Sequence, residues 1–160
     1  MGFKKLEIKK VGHLKFKDDS IYSYSDILIS QFKLELITTY DVITEKEKKE
    51  FIQLTRNLNM QENFFKWLRQ EGIEAVVIDS IFSFRDFREC INCIDMFTSH
   101  QFPLIFAKEG IDTGRKQDIG VFVTPFKRLL SLTKLYMLAE IKEELADASN
   151  KVFENHNIYN

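Results

Sequence analysis

Two short, almost continuous apolar runs constrain this chain more than any other feature: "IEAVVIDS" from Ile73 to Ser80 and "FPLIFA" from Phe102 to Ala107. A strand with one wet face alternates apolar and polar residues, whereas a run this dense and this short reads as a strand covered on both faces. Such strands belong to parallel sheets, in which crossover helices cover the two sides. Between the runs, "FRDFRECINCIDMFTSH" places Phe87, Cys90, Ile91, Ile94 and Phe97 on one helical face.

The same alternation extends upstream. "LEIKKVGHLKF" (Leu6 to Phe16) has a partial period of two and reads as a strand, and "SYSDILISQFK" follows as a helix starting at Ser25 or Asp26. "LELITTYDV" (Leu34 to Val42) is β-branched and aromatic, and Thr44 with Glu47 forms a capping box that opens the helix "EKEKKEFIQLTRNL". "QENFFKWLRQEG" is a further short helix closed by Gly72. The order β-α-β-α-β-α-β predicts an α/β fold, a mainly parallel sheet flanked by helices in three layers. Thr124 as cap and Pro125 in the first turn then open a long C-terminal helix, without a breaker to about Phe153 and assigned to 124–155. Roughly 28 residues at ~1.5 Å each span on the order of 40 Å, more than the width of one domain of this size. Leu135, Leu138, Ile141 and Leu145 therefore call for a second subunit, and a two-fold homodimer is expected.

At 160 residues, with 44% hydrophobic and 29% charged, the chain reads as one folded domain. A formal net charge of -1 offers no overall attraction to DNA, so DNA binding is expected to be weak or indirect unless Lys4, Lys5, Lys9, Lys10, Lys15 and Lys17 form a basic surface. The start, "MGFKKLEIKK", has no apolar signal core and no run is long enough to cross a membrane, which predicts a cytoplasmic protein. Cys90 and Cys93 form a C-x-x-C, but in mid-helix, where burial rather than redox chemistry is expected. His13, His100 and His156 stand singly, so no metal site is expected. No glycine-rich phosphate loop follows any strand, so no cofactor is expected either.

The stretch after the last strand, "KEGIDTGR" (Lys108 to Arg115), precedes the helix containing "AEIKEELADASNK". Together with the preceding strand-helix unit and the Arg85-Asp86 that opens it, this resembles the catalytic domain of the serine recombinases, the resolvase and invertase family. That family carries Glu-Gly-Ile-Asp-Thr at the end of its fourth strand, then Gly-Arg, then a long helix with an Ala-Glu-Phe-Glu-Arg-Glu-like run. The resemblance implies a resolvase-like three-layer sandwich whose long helix dimerises, and phosphoryl transfer through a seryl nucleophile supported by several arginines.

The catalytic residues do not carry over. Val11 to Ser20, "VGHLKFKDDS", aligns with the family's Val-Gly-Tyr-x-Arg-Val-Ser-Thr-Asp, so His13 stands for the tyrosine, Lys15 for the arginine and Lys17 for the nucleophile. The alternative register, "YDVIT" ending in Thr44, leaves too little chain before the Arg85 segment. Of the arginine cluster, Arg85 alone can remain; one other falls on Lys48 or Lys49 and another on Glu143. No DNA-binding helices are expected, since only a few residues follow the long helix before Asn160. The expectation is a catalytically inactive serine-recombinase-like protein of a mobile-element or phage setting, acting through self-association or a protein partner such as an intact recombinase. The alternative is an active or accessory recombinase in which Thr44, Ser20 or Ser83 supplies the hydroxyl.

Overall fold

The computed structural model describes residues 6–16 and 23–115 continuously, and beyond them positions 118, 120, 125, 128, 132 and 142–148. The chain divides into two units, Met1–Thr124 and Pro125–Asn160.

The first unit is α/β, as its apolar runs require. Its elements are β1 (Lys10–Lys15), α1 (Tyr24–Gln31), β2 (Glu35–Asp41), α2 (Glu45–Arg56), α3 (Leu58–Gln70), β3 (Ala75–Ile78), a 3-10 turn at Ile81–Ser83, α4 (Phe87–Ser99), β4 (Leu104–Phe106) and β5 (Ile111–Asp112). The strands form one sheet in the order β2-β1-β3-β4-β5. All neighbours are parallel except β5, which runs antiparallel to β4.

The layers follow from this order. The connection from β1 to β2 runs one way across the sheet, and those from β2 to β3 and from β3 to β4 run the other. Right-handed crossovers therefore put α1 on one face and α2, α3 and α4 on the opposite face. The α1 face buries Val11, Ala75, Val77, Ile105 and Ala107 with Leu28 and Leu34. By alternation Val76, Ile78, Leu104 and Phe106 point to the other side, where Phe51, Leu54, Phe65, Leu68, Ile91, Ile94 and Phe97 are buried. Phe65 and Phe97 meet edge to face with centroids 5.0 Å apart. Each such side chain contributes about 1.5–3 kcal/mol on burial, so "AVVI" and "LIF" hold the domain together although they are the shortest parallel strands.

Several boundaries differ from the sequence reading. The first strand starts at Lys10 rather than Leu6, because the amides of Lys9 and Lys10 donate to the Glu74 carboxylate at 3.3 Å; Leu6 and Ile8 pack against the α1-face core outside the strand. Helix α1 starts earlier than Ser25 or Asp26. Ser23 is its cap and Asp26 closes the capping box, so the Ser-x-x-Asp pair sets the boundary. The Thr44/Glu47 box opens α2 as expected, but α2 ends at Arg56, and Asn57 caps both that end and the start of α3. The short β5 lies inside the "KEGIDTGR" stretch and was not expected, since two residues carry no periodicity.

In the second unit, positions 125, 128, 132 and 142–148 are helical. Leu135, Leu138 and Ile141, named above for a dimer contact, lie outside the described residues, as does Lys17; Leu145 is 63% exposed. Among the described residues no helix is long and apolar enough to cross a membrane.

Candidate functional site

The chain leaves β1 toward β2 on one side and reaches β3 on the other, so a crevice opens at the carboxyl ends of these two strands. Open α/β sheets place their ligands at such a switch point. A cavity of about 250 Å³ lies there, lined by the end of β1, the start of α1, the loop after β3 and Lys108 after β4. β1 delivers His13 and Lys15 to it, two residues apart and so on the same side of the strand. His13 is only 7% exposed. Burial holds its imidazole below the ordinary value of 6.5; Asp26 opposes that effect, Lys15 adds to it, and Asp79 and Asp41 oppose it.

Two carboxylates frame the start of α1. Asp26 Oδ2 accepts from Ser23 N (3.2 Å) and Ser23 Oγ (3.1 Å), and Asp79 Oδ1, just past β3, accepts from Ser25 N (3.0 Å). Both sit where the positive end of the helix dipole favours negative charge. Ser25 Oγ is buried without a hydrogen-bond partner. Lys108 Nζ lies 5.5 Å from the centroid of the Tyr24 ring, a cation–π contact at the cavity wall.

A second cavity, about 380 Å³, adjoins the first and shares Phe16, Phe82 and Ser83 with it. Val42, Ile52 and Phe84 supply apolar lining, and Lys48, Arg85 and Glu89 supply charge. Arg85 Nε lies 3.9 Å from Glu89 Oε2 and 3.8 Å from Asp86 Oδ2, but its side chain is 76% exposed, so these pairs are weak. Burial raises the Glu89 carboxyl above its usual range, against the pull of Arg85.

The "KEGIDTGR" stretch folds as a tight β4–β5 hairpin. Glu109 Oε1 accepts from Ser80 Oγ (2.6 Å) and Ile81 N (2.8 Å), tying the exit of β4 to the exit of β3. Gly110 has φ +68°, in the left-handed region that favours glycine. Thr113 N donates to Leu104 O (3.0 Å) and Thr113 Oγ1 accepts from Leu104 N (2.9 Å). A Cβ on Gly114 would lie 3.0 Å from Pro103 Cγ. Arg115 Nε and Nη2 donate to Asp118 Oδ2 at 2.9 and 2.5 Å, and Nη2 also reaches Gly110 O at 3.1 Å.

Four of the residues singled out from sequence thus line this end of the sheet, in two compartments: His13 with Lys15, and Lys48 with Arg85. Asp86 is the cap of α4, its Oδ1 accepting from Glu89 N at 2.8 Å. Glu143 is an exposed helical residue of the second unit. Of the hydroxyls considered, Thr44 Oγ1 caps α2 and Ser83 Oγ accepts from Ser80 N (3.1 Å); Ser20 lies outside the described residues. Cys90 and Cys93 are buried, and the Cys90 thiol is pushed up to about 12 mainly by burial. Among the described residues, no group of three or more His, Cys, Asp and Glu could hold a metal ion.

Sequence reasoning gave no site role to Asp26, Asp79, Tyr24, Phe82 and Lys108. The signal for two of them was present: Asp79 ends one buried run and Lys108 follows the other, where parallel strands expose their ligand-binding ends. No protein-family model matches the chain, and comparison with curated proteins finds no relative.

Proposed function

We propose that this protein is a catalytically silent, serine-recombinase-like protein that acts by self-association or by binding a protein partner such as an intact recombinase, and so regulates recombination or a mobile element. The observation that carries this reading is the pair of carboxylates, Asp26 and Asp79, at the mouth of α1 beside His13. A strand-transfer centre must gather cations around a phosphate whose charge grows in the transition state. Carboxylates in the lining oppose that charge. The engagement of Thr44 and Ser83 in backbone hydrogen bonds adds support, since a hydroxyl used as a cap is not positioned as a nucleophile.

An active or accessory recombinase is the second reading, favoured by Lys48 and Arg85 lining one cavity beside the cleft. Incubation of the protein with supercoiled and linear duplex DNA, followed by denaturing gel electrophoresis, separates the two. No covalent protein–DNA adduct is expected. An adduct abolished by Thr44→Ala or Ser83→Ala would overturn the silent reading. Sedimentation equilibrium tests self-association: a mass above the 18.9 kDa monomer at high micromolar concentration is expected, and a strict monomer leaves the heterologous partner.

A further inference from the structure

The cleft between β1 and β3 has a lining that a DNA phosphate does not explain, and we infer that it binds a nucleoside monophosphate. Position is the first ground, because the cavity lies at the carboxyl ends of parallel strands at the switch point. Size is the second. About 250 Å³ falls just below the roughly 300–1,000 Å³ of small-molecule sites, which excludes a dinucleotide and takes a mononucleotide with part of it left in solvent.

The lining chemistry selects the ligand further. Lys15 and Lys108 bring positive charge and Asp26 and Asp79 bring negative charge to the same small space. A bare anion would meet the carboxylates, a bare cation would meet the ammonium groups, and an apolar body would take charged groups further out of water. The ligand must therefore carry an anionic group and hydrogen-bond donors at separate points. Asp79 uses Oδ1 on Ser25 N, which leaves Oδ2 to accept from a ligand hydroxyl. Phe82 and Tyr24 border the same cavity and are 76% and 43% exposed, two partly exposed aromatic residues against which a planar ring can pack. Phosphate on the lysines, ribose hydroxyls on Asp79 and a base against Phe82 or Tyr24 satisfy all three requirements at once, whereas a sugar phosphate lacks the ring and a nucleoside lacks the anion. This inference does not depend on the recombinase reading, since it uses neither a nucleophile nor a DNA strand.

The test is isothermal titration of the intact protein with AMP, GMP, CMP and UMP, each compared with its nucleoside, ribose 5-phosphate and inorganic phosphate. At least one monophosphate is expected to bind at least about tenfold more tightly than its nucleoside and ribose 5-phosphate, a difference of about 1.4 kcal/mol. Lys108→Met should weaken the monophosphate about tenfold and leave the nucleoside unchanged, and Phe82→Ala should weaken both. Phe82 is exposed enough that its variant is expected to fold. The proposal is overturned if no monophosphate binds at millimolar concentration, if inorganic phosphate binds as well, or if both variants bind as the unmodified protein does. A single-stranded hexanucleotide that binds more tightly than any monophosphate would reassign the cleft to a strand and overturn the free-nucleotide proposal. None of these outcomes alters the DNA-adduct result, so the two readings fail separately.

Discussion

Replacing Glu109 by alanine tests how the two halves of the cleft are held together. Its Oε1 takes the Ser80 hydroxyl at 2.6 Å and the Ile81 amide at 2.8 Å, while its Oε2 is buried without a partner. A hydrogen bond to a charged group contributes about 1.5–3 kcal/mol, so the two together give about 3–6 kcal/mol gross. The substitution also removes the unpartnered oxygen, whose burial costs about 1–3 kcal/mol. Ser80 Oγ still accepts from Phe82 N at 3.1 Å, but its hydroxyl proton loses its acceptor, so the Ser80 O–H and the Ile81 amide are both left unsatisfied. The net loss expected is about 2–3 kcal/mol, or about 5–10 °C in Tm for a chain of this length. Thermal unfolding followed by circular dichroism measures the shift, and hydrogen exchange at the Ile81 amide reports the bond itself. Glu109→Gln keeps an acceptor for Ile81 and should lie between the two. A Tm within about 1 °C of the unmodified protein, with the Ile81 amide as protected as before, would refute the clamp.

Two further outcomes follow from buried titratable groups. Burial lowers His13, so the unfolded chain binds a proton that the folded one resists; stability should be full above pH of about 6.5, fall as pH drops through that value and level off below the folded pKa, and His13→Gln should flatten this step in urea midpoints measured from pH 7.5 to 5. With Cys90 pushed up to about 12 and Cys93 raised well above its usual value, both chiefly by burial, neither thiol should react with iodoacetamide in the native protein at pH 8, and both should react on unfolding; rapid native labelling would show the helix face to be open.

The sheet was legible because its central strands are buried on both faces, a condition that forces the near-continuous runs at Ala75–Ile78 and Leu104–Phe106. Capping chemistry was legible where cap and partner stand three residues apart, as at Thr44 and Glu47, and was missed at Ser23 only because Ser25 and Asp26 compete for the same pattern. The cleft was half legible. His13 and Lys15 were singled out from sequence, and both line the cleft at the end of β1. Asp26, Asp79 and Lys108 come together from the first turn of α1 and from the segments after β3 and β4, a convergence set by strand order that no local pattern encodes. The division of Lys48 and Arg85 from His13 and Lys15 by shared aromatic lining depends on where Phe16 and Phe82 turn, and side-chain direction in loops leaves no period in sequence.

The same geometry accounts for the "EGIDTGR" stretch without any catalytic role. Each residue of that stretch has a task in the fold: Glu109 bridges two strand exits, Gly110 takes a positive φ, and Ile111 and Asp112 form the edge strand. Thr113 closes on Leu104, Gly114 leaves room for Pro103, and Arg115 is held by Asp118 and Gly110. A substitution there removes a hydrogen bond or introduces a clash, at a cost of order 1–3 kcal/mol, whether or not the domain performs chemistry. Arg85 has no comparable task, since its side chain is largely exposed and its ion pairs exceed 3.5 Å, and an exposed position of that kind tolerates change within about 0.5 kcal/mol. Under the proposed serine-recombinase reading, loss of catalysis would erode the arginines and the nucleophile first and leave the hairpin intact.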